Sequence, residues 1–596
     1  MRNAETVLGV IRERGKQGLP LEDIYRQLYN RDLYLTAYAH LYSNQGAMTP
    51  GTTSETVDGM AVAKIDAIID ALRHERYRWT PVRRAHIPKS DGKKRPLGIP
   101  TWPDKLLQEV VRMILEAYYE PQFSDRSHGF RPGRGCHTAL TEVTARWTGT
   151  KWFVEGDIKG CFDNIDHEVL LSILREKLQD NRFIRLIANL LKAGYMENWR
   201  YGVTLSGTPQ GGVVSPILSN IYLNRLDRFA EQILIPAQTR GEARRRSNRH
   251  STLKVRARYW EKKGDHEQAH ALRKEMRGLS SGDPDDPQFR RLRYVRYADD
   301  FLLGFIGPKT EAEDIKRQLG EFLHEDLKLE LSEDKTLVTH ASEGARFLGY
   351  EVVAQHANDQ LDRRGRRRIN GVIGLRVPPD VIRKRIALYQ RNSKPAHRPE
   401  MLHDDDFTIV SRYQAEFRGV VQYYVLASNV SRFGTLQWVM QQSLCRTLAR
   451  KHDSSAKAMT HKYLTTVQTE HGPRSCLQVV VERDGDKPPL VAQFGGIPLR
   501  RRREVVLVDR SPTLFRTEGT DLLQRLMADR CELCESTDSV EVHHIRRLKD
   551  LNSEGRHSQS DWVQAMAKRK RKTLVVCATC HDRIHAGKHD GLRLSA

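Results

Sequence analysis

Two adjacent carboxylates, Asp299 and Asp300, lie in the tetrapeptide Tyr297-Ala298-Asp299-Asp300, between alternating apolar stretches at 292–296 and 301–305. The two stretches predict a β-hairpin that presents both aspartates at its turn. Adjacent acids repel each other unless a cation neutralises them, so a divalent metal ion is their natural partner. Taken alone, the tetrapeptide would favour the alternative, a solvated Asp-Asp turn.

A third carboxylate, Asp157, ends the apolar stretch 152–157, which predicts a buried strand followed by a turn and a helix starting near His167. Two Mg²⁺ ions about 3.5–4 Å apart need bridging carboxylates from different strands, and Asp157 and Asp299 would supply them. One ion would lower the pKa of an attacking hydroxyl, and the other would stabilise a leaving pyrophosphate. An Asp that only caps the next helix is the alternative for Asp157 by itself.

A second set of metal-binding side chains lies near the C-terminus. It comprises two C-x-x-C pairs, Cys531 with Cys534 and Cys577 with Cys580. This spacing is typical of a zinc knuckle. The pairs are accompanied by four histidines, which are His543, His544, His581 and His585. The last two are four residues apart and would share one face of a helix starting near Cys580. A zinc ribbon that only binds DNA is the alternative.

The composition indicates a nucleic-acid partner. The 596 residues suffice for three to five domains, and 98 Lys and Arg against 75 Asp and Glu give a formal charge of +23. Such an excess suits a polyanion. Basic runs at 244–246, 363–368, 500–503 and 568–572 predict an extended track for RNA or DNA.

The apolar content argues against a membrane protein, because the mean hydropathy is −0.60 and no segment is long enough for a signal peptide or a membrane span. We therefore expect no membrane partner. Eight cysteines, four of them in C-x-x-C pairs, indicate a reducing compartment with bound metal rather than disulfides. A cytoplasmic location in a bacterium, or an organellar one, follows.

Together these motifs resemble the reverse transcriptases encoded by group II introns, because that family's sequence blocks occur here in order. The blocks are 44–51 of the N-terminal extension, 87–100 of the fingers, 127–134, 157–166, 208–216, 331–336 and 347–350. The resemblance implies an α+β multidomain fold: a right-hand polymerase, with fingers and palm built on a mixed sheet and a helical thumb, plus a small ββα-metal HNH zinc domain.

Five residues are expected to bind the incoming nucleotide. Lys89 and Arg95 flank an Asp-Gly turn, so both could reach a triphosphate, although a merely basic hairpin is the alternative. Gln210 lies beside two glycines, where an amide can position a nucleotide or simply complete a turn. By resemblance, Phe162 would stack under the deoxyribose and exclude a 2′-hydroxyl, and Lys335 would donate a proton to pyrophosphate. An ordinary core Phe and a solvated strand end are the alternatives.

The C-terminal cysteines and histidines resemble the HNH endonuclease module found at the end of many group II intron proteins. By that resemblance His544 would be the general base, and His543 and His585 would hold one catalytic divalent ion, with His581 nearby. The Cys₄ zinc would be structural.

One position departs from the usual HNH pattern. The widespread pattern has an asparagine five residues before the second cysteine pair, where this chain has Lys572. Asn552 is the other candidate for that middle asparagine.

The motifs divide the chain into five predicted domains. These are an N-terminal extension (1–75), fingers and palm (76–360) with a basic insert at about 233–292, a thumb or maturase domain similar to domain X (361–465), a DNA-binding region (466–520) and the HNH endonuclease (521–596).

At the palm, Asp300 should matter less for catalysis than Asp299, since adjacent residues rarely both reach the same ion directly.

The predicted function is that of a multifunctional intron-encoded protein. It would copy RNA into DNA from dNTPs, bind its intron RNA as a lariat ribonucleoprotein and assist splicing. It would also nick one strand of a double-stranded DNA target, whose 3′-hydroxyl then primes cDNA synthesis during retrohoming.

A splicing-only maturase and a stand-alone defence-type reverse transcriptase fused to a nuclease are the alternatives. The intact Asp157, Asp299 and Asp300 argue against the first, as do Gln210 and Lys335. The Arg-Gly-x-x-x-Tyr-Tyr block at 418–424 and the C-terminal HNH motif favour the intron class over the second.

Overall fold

The computed structural model describes most of the chain. The described residues are 3–44, 46–88, 92, 94–197, 200–202, 207, 211–357, 360, 369–470, 472–483, 488–504, 507–508, 521–546, 560, 562–564, 566 and 571–586. Lys89, Gln210 and Asn552 lie outside these residues, as does the basic run 363–368.

The described residues form α-helices and β-strands that we number in chain order. The helices are α1 (Ala4–Lys16), α2 (Arg31–Leu41), α3 (Val62–Arg73), α4 (Trp102–Tyr119), α5 (Cys136–Arg146), α6 (Cys161–Asn164), α7 (His167–Arg175), α8 (Asn181–Lys192), α9 (Ser215–Phe229), α10 (Ile235–Ala237), α11 (Asn248–Lys262), α12 (His266–Gly278), α13 (Lys309–Leu327), α14 (Pro379–Ala387), α15 (Asp406–Tyr423), α16 (Phe433–Lys451), α17 (Ala456–Tyr463), α18 (Asp521–Met527) and α19 (Ala578–His585). The strands are β1 (Val82–Pro88), β2 (Lys94–Ile99), β3 (Trp152–Asp157), β4 (Tyr195–Glu197), β5 (Arg200–Gly202), β6 (Arg291–Tyr297), β7 (Asp300–Ile306), β8 (Val338–His340), β9 (Ala345–Phe347), β10 (Tyr350–Ala354), β11 (Ile373–Arg376), β12 (Gln390–Arg391), β13 (Lys394–Pro395), β14 (Leu464–Thr469), β15 (Gly472–Val481), β16 (Leu490–Gly495), β17 (Val540–His544) and β18 (Thr573–Cys577).

The N-terminal extension is helical, as its apolar spacing predicts. Asn3 and Asn30 cap α1 and α2 by accepting backbone N–H groups of the first turn. In α3, Ile65, Ile68 and Leu72 recur at helical spacing and are buried. The loop that joins α2 to α3 contacts the C-terminal module, because Met60 forms an antiparallel bridge with Val542.

The fingers and the palm are built on separate four-stranded sheets. The fingers sheet has the order β2-β1-β4-β5 and is mixed, because β1 and β4 run parallel. The palm sheet has the order β6-β7-β3-β8 with antiparallel neighbours throughout. The palm helices α9 and α13 and the N-terminal helices share one hydrophobic core with these strands, which holds the strand ends in place.

The basic insert between the palm blocks forms a helical hairpin of α11 and α12. Leu253, Ala257 and Leu272 give it a small core of its own. Arg245 pairs with Asp283 where the insert returns to the palm. The insert is therefore a helical element with a core separate from that of the palm.

The thumb helices α14 to α17 pack against the sheet β14-β15-β16. Tyr413 and Phe417 of α15 contact Phe494 of β16, and all three side chains are buried in one core. The boundary predicted at 465/466 falls inside β14, so this sheet is continuous with the thumb core.

The C-terminal module consists of the antiparallel hairpin β17-β18 followed by α19, which is the expected ββα arrangement. Val540, Val542 and Val575 bury their side chains in the same core as the N-terminal helices. No helix among the described residues is long and apolar enough to cross a membrane.

Candidate active sites

The palm carboxylates lie together because of the strand register. Strand β3 ends at Asp157, whose cross-strand partner is Asp300 at the start of β7. Tyr297 also pairs with Asp300, so Ala298 and Asp299 form the two-residue turn of the β6-β7 hairpin. Ala298 has a left-handed φ of 54° in this turn. The hairpin predicted from the sequence is thus confirmed.

A glycine permits the close packing of this turn against the palm. A Cβ atom on Gly129 would lie 2.4 Å from the backbone nitrogen of Ala298, so no larger residue fits. The amide of Asn220 donates a hydrogen bond of 2.9 Å to the Gly129 carbonyl. Gly129, in the sequence block 127–134, therefore packs directly against the backbone of the aspartate turn.

Burial and neighbouring charges raise the pKa values of the two adjacent carboxylates, Asp299 and Asp300. Burial and the charges of Asp299 and Asp157 raise the pKa of Asp300 to about 7. Burial also raises the pKa of Asp299. The Lys335 ammonium donates a hydrogen bond of 2.9 Å to Asp157 Oδ2, and this bond raises the pKa of the lysine. Three crowded carboxylates form an all-oxygen donor set, which is the set that Mg²⁺ prefers.

The fingers contribute positive charge to this site. Arg95 on β2 is close enough to Asp299 for its charge to oppose the rise in that carboxyl's pKa. A Cβ atom on Gly211 would lie 2.8 Å from the Gly98 carbonyl oxygen, so the chain just after the predicted Gln210 packs against β2. Phe162, in the first turn of α6, contacts the ring of Phe130 edge-on at 6.2 Å.

A fully buried ion pair supports the aspartate turn. Arg296 Nη2 lies 2.6 Å from Asp227 Oδ2, and both side chains are completely shielded from solvent. Arg296 also donates to the Ala298 carbonyl at 2.7 Å and to Ser127 Oγ at 2.8 Å. The Tyr294 hydroxyl donates to Asp227 at 2.9 Å. No sequence motif marks this pair, because Asp227 lies in a helix outside every recognised block.

We expect Asp227→Ala to lower the free energy of unfolding by about 3–5 kcal/mol, since it leaves the Arg296 charge buried without a partner. Denaturant unfolding followed by tryptophan fluorescence measures the change. The control is Asp314→Ala, which removes an exposed partner of Arg317 and should leave the unfolding midpoint unchanged. Equal midpoints for the two variants would contradict the structural role of the pair.

The four cysteines of the C-terminal module converge as the spacing predicts. The pair Cys531 and Cys534 precedes β17, Cys577 ends β18, and Cys580 lies in the first turn of α19. One sulfur atom from each lies within 4.8 Å of all the others, and Cys534 Sγ is 3.6 Å from Cys577 Sγ. None of the four forms a disulfide. A tetrahedral Zn²⁺ site takes this donor set.

Three of the four histidines, His543, His581 and His585, form a second cluster. His543 on β17 lies 3.0 Å from His581, which is 3.1 Å from His585 one turn later on α19. One ligand atom from each lies within 4.8 Å of the others and of a carboxylate oxygen of Asp58. Imidazoles with a carboxylate suit a divalent transition metal such as Zn²⁺ or Mn²⁺. His581 is thus as close to the centre of this cluster as His543 and His585.

Asp58 belongs to the loop between α2 and α3, so the N-terminal extension completes this cluster. Burial alone would raise the pKa of Asp58, but hydrogen bonds with His543 and His581 hold it far below its usual value. Burial disfavours the charged form of His581, yet hydrogen bonds to Asp58 and Glu541 raise its pKa to about 9. Asp58 was not among the predicted site residues, because an Asp-Gly turn is its only local sequence signal.

His544 lies apart from the cluster, because successive side chains of a strand point to opposite faces. Its Nε2 is hydrogen-bonded to the Tyr38 hydroxyl at 2.8 Å, and its ring packs against Tyr42. Burial lowers the pKa of His544 to about 3, so the imidazole is neutral at physiological pH. A general base requires this neutral form.

A basic cavity of about 890 Å³ opens beside His544. One wall consists of N-terminal residues 42–44, 48 and 49. The other wall carries four cationic side chains, Arg525, Arg546, Arg571 and Lys572. Lys572, at the position where the HNH pattern has asparagine, therefore lines a cavity suited to a phosphodiester backbone.

Three families match successive parts of the chain. Reverse transcriptase (RNA-dependent DNA polymerase) matches residues 87–352, type II intron maturase matches 382–472, and the AI2M/AI1M-like HNH endonuclease matches 531–581. The first match contains all three palm aspartates, and the last contains both cysteine pairs. Reverse transcriptase and HNH domains generally use divalent metal ions, which fits both donor sets.

Relatives extend the match to nearly the whole chain. Group II intron-encoded protein LtrA of Lactococcus lactis subsp. cremoris is 40% identical over 584 residues, 94% of each chain. An uncharacterized 91 kDa protein in the cob intron of Schizosaccharomyces pombe is 35% identical over 94% of this chain and 69% of its own. Nuclear intron maturase 1 of Arabidopsis thaliana is 24% identical over 42% of this chain. Three domain families in this order, with an end-to-end relative, show that the chain belongs to the group II intron-encoded proteins and combines an RNA-directed DNA polymerase, an intron maturase and an HNH DNA endonuclease.

Proposed function

We propose that Asp157 and Asp299 hold two Mg²⁺ ions at the palm and that Asp300 supports them from the adjacent position. The observation that carries this proposal is the register of β3 and β7, which brings three carboxylates together at one end of the two central palm strands. When bound, the ions lower the pKa of the primer 3′-hydroxyl and neutralise charge on the leaving pyrophosphate.

The chain's own side chains position the nucleotide. Lys335 is protonated and already hydrogen-bonded at the carboxylates, so it can give its proton to the pyrophosphate as that group departs. Arg95 on β2 would bind the triphosphate, and Lys89 is proposed to do so with it. Phe162 would stack under the deoxyribose, and Gln210 would position the base.

At the nuclease site, His544 accepts a proton from the attacking water, and His543, His581 and His585 hold one divalent ion. That ion, when bound, stabilises the leaving oxygen of the scissile phosphate. The cysteine cluster holds a structural Zn²⁺ that joins the hairpin to α19. The basic cavity beside His544 would hold the strand that is cut.

The remaining surfaces would bind the intron RNA. The N-terminal extension, the helical hairpin of the insert and the thumb present basic residues, and the maturase family matches the thumb. The resulting lariat ribonucleoprotein would place intron RNA into one strand of double-stranded target DNA, and the nick in the other strand would prime cDNA synthesis from dNTPs. LtrA is a bacterial relative, and this supports a bacterial cytoplasmic location.

Removing zinc should separate the two enzymatic activities. Cys577→Ser breaks the cysteine cluster at the end of β18, so we expect loss of bound zinc and of DNA nicking, with primer extension retained. Zinc content by atomic absorption and both activity assays measure this. The matched control is Cys445→Ser, a buried thumb cysteine outside the cluster. Nicking that survives in a zinc-free Cys577→Ser protein would contradict the structural role of the metal.

Primer extension tests the polymerase proposal. Purified protein is given an RNA template with an annealed DNA primer, dNTPs and Mg²⁺. We expect extension that EDTA abolishes. Tight RNA binding with no extension under any divalent ion would instead support a splicing-only maturase.

A further inference from the structure

The nuclease module receives part of its active site from the other end of the chain. The backbone N–H of Gly59 donates to the Val542 carbonyl at 2.9 Å, and the N–H of Val542 donates to the Met60 carbonyl at 2.9 Å. The side chains of Met60 and Val542 are completely buried in one core. This short bridge fixes the α2-α3 loop against β17, directly before the two histidines.

The bridge places the Asp58 carboxylate among the three histidines. Asp58 Oδ2 lies 2.8 Å from His585 Nε2, and Oδ1 lies 3.2 Å from His581 Nε2. His543 Nδ1 is 3.4 Å from Oδ1, and the backbone N–H of His544 donates to the same oxygen at 2.6 Å. Three imidazole nitrogens from two elements thus converge on one carboxylate.

The ligand atoms of the three imidazoles also lie close to one another. His581 Nε2 lies 3.0 Å from His543 Nδ1 and 3.1 Å from His585 Nε2. One nitrogen from each histidine and a carboxylate oxygen of Asp58 lie within 4.8 Å of one another, as ligands of a single divalent cation do. The exposed edge at His585 leaves the cluster open on one side to water or phosphate.

A second N-terminal residue, Tyr38, contacts the general base. Its hydroxyl is 2.8 Å from His544 Nε2, and its ring meets the imidazole edge-on at 6.1 Å. Burial raises the pKa of Tyr38 well above its usual value, so the phenol stays neutral. If the phenol oxygen accepts the Nε2–H, Nδ1 remains the basic nitrogen of the ring.

We propose that the nuclease centre is composite: Asp58 is the fourth protein ligand of its divalent ion, and Tyr38 is the positioning residue of His544. The inference rests on the proposed nuclease roles of His543, His544, His581 and His585. It means that the C-terminal module is catalytically complete only while it is docked on the N-terminal extension. The alternative is that Asp58 blocks the metal site, with its carboxylate in the position that an oxygen of the scissile phosphate would occupy.

Metal binding tests Asp58 without relying on activity. Full-length protein carrying Asp157→Asn and Asp299→Asn, which silence the palm, is titrated with Mn²⁺ by calorimetry. We expect Asp58→Asn to weaken Mn²⁺ binding by about 10–100-fold, a loss typical for groups that support a metal. Asp66→Asn removes the same charge from an exposed pair on α3 and should bind Mn²⁺ like the parent. Asp58→Cys should bind Zn²⁺ at the histidine cluster, in addition to the zinc of the cysteine cluster. It should not recover Mn²⁺ binding, since thiolates prefer zinc.

The outcomes are distinguishable. One retained zinc per chain shows that the Asp58→Asn module is folded. Unchanged Mn²⁺ affinity in that folded variant would overturn the ligand role, and faster nicking would show that Asp58 blocks the metal site. His543→Ala tests the underlying site: if it leaves Mn²⁺ affinity and nicking intact, the nuclease assignment itself fails.

Tyr38→Phe tests the positioning role, because it keeps the ring packing and removes only the hydroxyl. We expect the kcat for nicking to fall by about tenfold or more, since a misoriented base loses part of its contribution. The KM for DNA and the Mn²⁺ affinity should be unchanged, and the pH–rate profile should shift. A profile that superimposes on the wild type at every pH would overturn the role of Tyr38.

Discussion

Replacing Asp299 with alanine is expected to reduce Mg²⁺-dependent cDNA synthesis by about 10³-fold or more, equivalent to about 4 kcal/mol of transition-state stabilisation. The carboxylate lies at the turn of the β6-β7 hairpin, next to Asp300, which is the cross-strand partner of Asp157, and with Asp157 it would hold the ions. Its removal should not alter RNA affinity, because basic surfaces elsewhere on the chain would bind the RNA. Primer extension and filter binding, measured on the same preparation, check both statements.

Two comparisons sharpen this result. Asp300→Ala should cost less activity than Asp299→Ala, since adjacent residues rarely both reach the same ion directly. Asp314→Ala, on the surface of α13, should extend primers at the wild-type rate. Polymerase activity of the Asp299 variant comparable to wild type would remove the two-metal assignment.

His544→Ala is expected to reduce DNA nicking by about 10²–10⁴-fold, the usual contribution of a general base. Burial keeps this imidazole neutral, and no other described histidine combines that state with a place on the basic cavity. Primer extension should be unaffected, because the palm carboxylates belong to a different domain. Strand-specific cleavage of end-labelled duplex measures the loss.

The matched control is His461→Ala, which changes an exposed histidine on the thumb helix α17. It should nick and polymerise like the wild type. Nicking by His544→Ala at the control's rate would mean that another group activates the water, and the assignment of the base would be wrong.

The polymerase site was predictable because its determinants are local. Alternating apolar residues on either side of Asp299 specify a hairpin, and the apolar run before Asp157 specifies the neighbouring strand. The order of the motifs then predicts a palm. What the pattern does not contain is the register, which makes Asp157 and Asp300 cross-strand partners. The roles of Lys89 and Gln210 remain predictions, because both lie outside the described residues.

The nuclease site was predictable only in part. The cysteine spacing and the i, i+4 histidines of α19 are local signals, and the structure brings both sets together. Asp58 is 527 positions from His585, and no local pattern distinguishes it from other Asp-Gly turns. Its place depends on how the C-terminal hairpin docks on the N-terminal helices. Arg296 and Asp227 were missed for the same reason, since a buried ion pair between a helix and a strand has no sequence signature.

Target-primed synthesis on strand-labelled duplex tests the central account most directly, because it requires both metal centres on one chain. The intron ribonucleoprotein is incubated with target DNA, Mg²⁺ and dNTPs, and the label is placed 5′ of the nick. The account predicts a labelled strand that is nicked and then lengthened by cDNA in the wild type, nicked only in Asp299→Ala, and intact in His544→Ala. A wild-type nick that is never lengthened, although the same protein extends an annealed primer, would contradict it.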